Sequence, residues 1–124
     1  GISIMGDLSK NFSKSEFRCK CGECSPVLPP DELIEVMQHI REHFDLPVTV
    51  HSGHRCKDYN RRVGGASRSK HLTAEACDFT ILGVSNDKIQ EYVLNHYQGK
   101  YGIGRYNNFT HVDVRKGPAR WDFR

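Results

Sequence analysis

No stretch of this 124-residue chain approaches the ~18 consecutive apolar residues of a membrane-crossing helix, so no such span and no membrane partner is expected. The opening GISIMGDLSK lacks the basic-then-apolar pattern of a secretory leader, and no export signal is read from it. Charge of one sign is scarce too. The formal net charge is only +3 with seven histidines counted neutral, too little to call for a nucleic-acid partner. VGGASRSKH lacks the Gly-x4-Gly-Lys-Ser/Thr spacing of a phosphate-binding loop. Internal repeats and low-complexity segments are absent. CKCGEC at 19–24 has no second Cys-x2-Cys after it, so it does not by itself make a zinc ribbon.

What is present suffices for one core. The chain is 37% hydrophobic and 27% charged, which argues for a single folded domain rather than disorder. Residues 1–10 read as an N-terminal extension, in which Met5 is a candidate natural start that would make Gly1 to Ile4 foreign to the natural chain. Residues 11–124 form the domain. Cysteines stand at 19, 21, 24, 56 and 77, an odd number that cannot all pair within the chain. Cys19, Cys21, Cys24 and Cys56 form a candidate set for either a structural metal or disulfides, and Cys77 reads as a small buried residue. Between 55 and 70, Arg55, Lys57, Arg61, Arg62, Arg68 and Lys70 face a single acid, Asp58. That cluster is either a solvated face or a surface that attracts carboxylates and phosphates.

Periodicity gives the elements. PPDELIEVMQHIREHF has prolines and acids at its start and a stripe of Leu33, Met37, Ile40 and Phe44, which predicts a core-facing helix. A strand is expected at 47–52, a short polar helix at 56–63 and a second strand through ACDFTI. Ser85 caps a further helix, and KYGIGRYNNFTHVDVR predicts a hairpin turning at Asn107 and Asn108. Helices and strands mix without regular alternation, so the fold class is α+β with a small, mostly antiparallel sheet and flanking helices.

KHLTAEACDFT, residues 70–80, separates His71 from Asp78 by seven positions. As one helix the two would lie ~10.5 Å apart along the axis; as one strand they would face opposite sides. A loop histidine, a turn through Thr73 and Ala74, and a strand from about Glu75 bring them together. On that strand Ala76, Asp78 and Thr80 share one face, and Cys77, Phe79 and Ile81 share the core face. In FTHVDV, Phe109, His111 and Asp113 share a face opposite Thr110, Val112 and Val114, which puts His111 and Asp113 on a polar surface. If the two strands are neighbours, His71, Asp78, His111 and Asp113 meet. Two imidazoles and one carboxylate are good zinc ligands, and the remaining carboxylate, Asp113, is left to handle protons. His51 and His54 lie nearby as candidates to touch substrate or a ligand, whereas His39, His43 and His96 sit in helical patterns as surface or boundary residues.

SGHR at 52–55, YNRRVGGASRSKHLTAEACDF at 59–79 and GIGRYNNFTHVDVR at 102–115 resemble the zinc D-Ala-D-Ala carboxypeptidase and L-alanyl-D-glutamate endopeptidase family, within the Hedgehog/DD-peptidase fold group. Among its members the chain looks most like phage- and prophage-encoded cell-wall peptidases. NFSKSEFRCKCG also resembles the start of many members, so the likeness runs from about residue 11 to 121. It implies a single catalytic zinc on His71, Asp78 and His111, with Ser69 completing the Ser-x-His-x6-Asp pattern. It also implies that Arg55 contacts substrate or the developing oxyanion, with Ser69 and His54 beside it as substrate contacts. Two positions depart from the family pattern. Ala74 replaces a usual glycine, implying a tighter or shifted turn, and Asn108 stands where many relatives carry the catalytic carboxylate, so Asp113 is either the base in its place or a carboxylate that orients a ligand or pairs with an arginine.

The resemblance thus implies a monomeric peptidase that cuts a peptide bond of the peptidoglycan stem, of D,D-carboxypeptidase or L,D-endopeptidase type. It would act on the bacterial wall, in the periplasm or outside the cell, after release by lysis, a holin or a virion. The alternative is a zinc-bearing but inactive wall-recognition domain, which Asn108 favours.

Overall fold

The structure is a computed structural model that describes residues 8–24, 27–67 and 69–124. The candidate start at Met5, most of the N-terminal extension and Arg68 of the basic cluster lie outside the described residues. A short helix α1 (Lys14–Phe17) precedes the long helix α2 (Asp31–Phe44), which enters from Pro30 with Asp31 and Glu32 in its first turn. Strand β1 (Val48–Ser52), helix α3 (Lys57–Arg62), a 3-10 turn (Lys70–Thr73) and strand β2 (Ala76–Ile81) follow. Helix α4 (Asn86–His96) starts at Ser85, whose hydroxyl accepts from the Lys88 amide. Strands β3 (Gly102–Arg105), β4 (Thr110–Asp113) and β5 (Ala119–Asp122) complete the chain.

The five strands form one sheet in the order β1-β2-β4-β3-β5, antiparallel except for the β3/β5 pair. The α+β expectation therefore holds, and every element read from periodicity is found. The sequence reading omitted α1, the 3-10 turn and β5, each of four residues and too short to carry a period.

One face of the sheet is the core. Cys77, Phe79 and Ile81 from β2, Ile103 from β3 and Val112 from β4 are buried with Leu33, Met37 and Ile40 of α2 and Ile89 and Val93 of α4. Burying side chains of this size stabilises by roughly 1.5–3 kcal/mol each, enough to fix strand faces against a one-residue slip. Cys77 is fully enclosed there, and burial pushes its thiol well above the usual range. Its role is packing.

The opposite face carries the polar residues, and two irregularities shape it. Between Val50 and Ser52 the β1/β2 register shifts by one residue, a bulge at His51 that sets Ser52 opposite Asp78. Gly53 then passes so close to Phe17 that any side chain would strike the Phe17 backbone, and this approach lets the His54 amide donate to the Phe17 carbonyl at 2.8 Å.

Candidate metal centre and cleft

β2 and β4 are neighbours, and their register pairs Asp78 with His111 and Ala76 with Asp113. The 3-10 turn delivers the remaining histidine. Ser69 caps this turn by accepting from the His71 amide at 3.2 Å, and Ala74 ends it at φ +61°. That left-handed conformation is one glycine adopts freely. Ala74 adopts it with its methyl buried.

The three side chains His71, Asp78 and His111 are all buried, and one ligand atom from each lies within 4.8 Å of the others. His71 Nε2 is 3.2 Å from Asp78 Oδ2, and His111 Nδ1 is 2.8 Å from Asp78 Oδ1. The two imidazole nitrogens thus face the two oxygens of one carboxylate.

The hydrogen bonds behind the rings test whether a cation fits. His71 Nδ1 is 2.6 Å from the Gly53 carbonyl, which can only accept, so the proton sits on Nδ1 and Nε2 offers a lone pair. That Nε2 is buried without a hydrogen-bond partner; its approach to Asp78 is close but not aligned. His111 Nε2 is 2.8 Å from Asp113 Oδ2, a carboxylate that likewise only accepts. With that proton given to Asp113, a neutral His111 would aim its Nδ1 lone pair at the Asp78 carboxylate. Two lone pairs and a carboxylate converging in a buried site repel one another unless a cation or an added proton stands between them. The donor set therefore fits zinc. Without a metal, an added proton on His111 takes that place: burial raises Asp78, but His111 and His71 outweigh it and hold its carboxyl well below the usual range. Burial lowers His111, but Asp113 and Asp78 outweigh it and raise its pKa overall.

Asp113 differs from its expected placement. It is completely buried rather than displayed on an open polar surface, and it lies behind His111, on the side away from Asp78. Arg115 Nε donates to Oδ1 at 2.7 Å, and an Arg115 terminal nitrogen donates to Oδ2 at 2.7 Å. The Arg115 amide also donates to Oδ1 at 3.3 Å, so both oxygens are occupied. Space for the carboxylate comes from Gly102, directly opposite in β3, where any Cβ would collide with it. Burial raises the Asp113 pKa, but His111 and Arg115 outweigh it and hold the carboxyl well below the usual range.

The ligand set forms the floor of an open cleft of about 670 Å³. Arg55 and Ser69 line it as expected. The Arg55 guanidinium is tied down, with Nε donating to Ser52 Oγ at 3.0 Å and the two terminal nitrogens reaching Asn60 Oδ1 at 3.2 Å and Asp78 Oδ2 at 3.3 Å. Of the other cations in the 55–70 cluster, only Lys70 among the described residues lines the cleft. Arg61 pairs loosely with Asp58 in solvent, and Arg62 lies over the Tyr59 ring. His54 does not line the cleft: its side chain is buried beside α1 with Nδ1 unpartnered, and burial lowers its pKa. His51 is exposed and bonds Thr80 Oγ1 at 2.7 Å. His39, His43 and His96 stack with Tyr92 at the surface, as their helical positions suggested.

The cleft also has a wall that sequence reasoning missed. Tyr106, Phe109, Trp121 and Phe123 line it, with Arg115 beside them. Tyr106 stacks on Phe109 at 4.4 Å and accepts a hydrogen bond from Trp121 Nε1 at 2.9 Å. Trp121 reaches the site because β5 pairs with β3 opposite Gly104, where a Cβ would strike the indole. The aromatic residues near the end of the chain were the available signal, but nothing local tied them to His111.

A buried two-histidine, one-carboxylate set at the floor of an open cleft, on a small α+β sheet, is a group of side chains that could hold a metal ion, and its donor types are those of hydrolytic metal sites. The chain belongs to the Peptidase M15 family, whose profile matches residues 10–113, and members of this family are zinc-dependent metallopeptidases. Among curated proteins it is 35% identical over 79 residues to the peptidoglycan L,D-endopeptidase MepK of Escherichia coli K12, covering 60% of this chain and 42% of that protein. The MepK proteins of Escherichia coli O157:H7 and of Shigella flexneri match with the same figures. The chain thus spans less than half the length of the curated relatives it matches.

A second concentration of metal-ligating groups lies apart from the triad: Cys19, Cys21, Cys24 and Cys56, with their sulfurs within 4.8 Å of one another. No helix of the described residues is long and apolar enough to cross a membrane.

Proposed function

We propose that this chain is a zinc peptidase that hydrolyses a peptide bond in the peptidoglycan stem peptide, with His71, Asp78 and His111 as the metal ligands. The observation that carries this reading is the inward convergence of those three side chains on one point at the floor of the cleft. Membership of the M15 family and likeness to proteins named peptidoglycan L,D-endopeptidase support the substrate and favour endopeptidase over carboxypeptidase action. The phage-type resemblance supports a phage- or prophage-encoded enzyme that acts, as a monomer, on the wall after release.

A zinc ion held by His71, Asp78 and His111 would supply Lewis acidity toward a substrate carbonyl and would lower the pKa of bound water toward ~7. The chain's own residues prepare the site. Gly53 and Asp113 hold the two imidazoles in the tautomers that present Nε2 of His71 and Nδ1 of His111 inward. Arg55 steadies Asp78 and places positive charge at the cleft floor, where an oxyanion would develop; such a donor contributes ~3 kcal/mol. The aromatic wall excludes water from one flank and gives a substrate backbone a flat surface to lie against. Lys70, Arg55 and Arg115 attract the free carboxylates of stem peptides.

Asp113 acts in this scheme as a positioning residue. A second reading, a zinc-bearing recognition domain without turnover, is favoured by one observation: among the described residues lining the cleft, Asp78 is the only carboxylate, and Asn108 lies exposed in the β3/β4 turn. One experiment separates the two. Zinc-loaded protein is incubated with purified peptidoglycan, and new termini are identified by mass spectrometry alongside a His71→Ala control. New termini that the control does not produce support the peptidase; tight binding to peptidoglycan without any release supports the recognition domain.

A further inference from the structure

We infer that Cys19, Cys21, Cys24 and Cys56 hold a second, structural zinc ion as a tetrathiolate, and that this ion fixes the segment carrying Gly53 and Arg55 against the catalytic cleft. The geometry is that of a metal cluster. With Zn–S bonds of ~2.3 Å, a tetrahedron places its sulfurs ~3.8 Å apart. Cys56 Sγ lies 3.8 Å from Cys21 Sγ, and all four sulfurs fall within 4.8 Å of one another.

The backbone around the cluster is arranged to receive thiolates. The amides of Glu23 and Cys24 both point at Cys21 Sγ at 3.4 Å, folding Cys21-Gly22-Glu23-Cys24 around that sulfur. Gly22 permits this turn at φ +73°. The Cys56 amide donates to Cys19 Sγ at 3.3 Å, and the Tyr59 amide donates to Cys56 Sγ at 3.5 Å at the start of α3. Amide donors aimed at sulfur favour the anionic form that binds metal.

The packing shows why an ion is needed. Residues 18–24, 27 and 28 contain no helix or strand, and Cys19 is their only buried side chain; Val27 and Leu28 are exposed. A loop with so little apolar burial does not repay its ordering entropy through a core. A tetrathiolate zinc supplies that energy directly.

The consequence reaches the cleft. Cys56 follows Arg55, whose amide donates to the His71 carbonyl at 2.9 Å and whose side chain reaches Asp78. Gly53, three residues earlier, accepts from His71 Nδ1. The cysteine cluster is therefore one anchor of the segment that orients His71 and Asp78.

The proposal does not depend on the peptidase reading, and metal counting separates them. Wild-type protein, purified under reducing conditions and loaded with zinc, should hold two ions per chain by elemental analysis. His71→Ala and Cys24→Ser should each retain one. Cobalt substitution gives the second readout: wild type and His71→Ala should both show an intense sulfur-to-cobalt charge-transfer band, and Cys24→Ser should lose it. The band's presence in His71→Ala supports the proposal even if the cysteine variant does not fold. A single ion per wild-type chain with no sulfur-to-cobalt band would overturn it. So would a protein that is four hydrogens lighter without reductant and binds no metal through sulfur once reduced, the signature of two disulfides.

Discussion

Replacing Asp113 by asparagine tests how His111 is prepared. The carboxylate accepts from His111 Nε2 and an Arg115 terminal nitrogen through Oδ2, and from the Arg115 backbone amide and Nε through Oδ1. An amide must set its NH2 at one of these positions, donor facing donor. If it faces His111, the ring relieves the clash by moving its proton to Nδ1, the atom that would ligate metal. If it takes the Oδ1 position, it meets two Arg115 donors that cannot move their protons, so the orientation toward His111, whose ring can, is favoured. The main effect therefore falls on ligation. Removing the partner of a ligating histidine typically weakens metal binding ~10–100-fold, or ~1.4–2.7 kcal/mol. Zinc affinity, measured by competition with a chromophoric chelator, should fall by that factor in Asp113→Asn. Turnover should largely return when zinc is raised to saturation. Unchanged zinc affinity with turnover abolished at every zinc concentration would refute the reasoning and make Asp113 the proton carrier.

Gly102→Ala drives a methyl group into the same carboxylate, so it should destabilise by ~1–3 kcal/mol and weaken zinc binding in parallel; an unchanged melting temperature would contradict the close approach. Arg55→Ala should lower turnover on peptidoglycan ~100-fold or more, and Arg55→Lys should rescue little because ammonium cannot span Ser52, Asn60 and Asp78 together; full activity in the lysine variant would show that charge alone suffices. Metal-free protein should lose stability in acid. Asp78 and Asp113 are depressed, so their contribution is complete above the unfolded carboxylate pKa of ~3.9 and disappears as pH falls toward their folded values. The raised His111 has the opposite sign, contributing below its unfolded pKa of ~6.5 and losing that contribution as pH rises through the folded value. Thermal melts should therefore fall more steeply between about pH 5 and pH 2 for wild type than for Asp113→Asn; parallel curves would count against a depressed Asp113.

Local pattern determined a great deal. The period of two in ACDFTI assigned Cys77, Phe79 and Ile81 to the core and turned Asp78 the other way, because each strand residue's face is set by its immediate neighbours. The same rule oriented β4, and the stripe in α2 marked the helix that covers the core. Family motifs pointed to His71, Asp78 and His111, residues the fold does bring together.

Other features depend on positions far apart in the chain, where no periodicity speaks. That β2 lies beside β4 with Asp78 opposite His111 is a matter of strand register, fixed only when both core faces pack. The fate of Asp113 turned on Gly102 across the sheet and on Arg115; the strand pattern gave its face correctly but could not say that the face was covered there. Trp121 joined the cleft through a parallel pairing of β5 with β3, and Cys56 met the cysteines of the N-terminal loop across 31 intervening positions or more. A strand's period is local chemistry written in consecutive residues. Which distant surfaces meet is decided by the packing of the whole chain, and both clusters of potential metal ligands in this protein are products of that second kind of information.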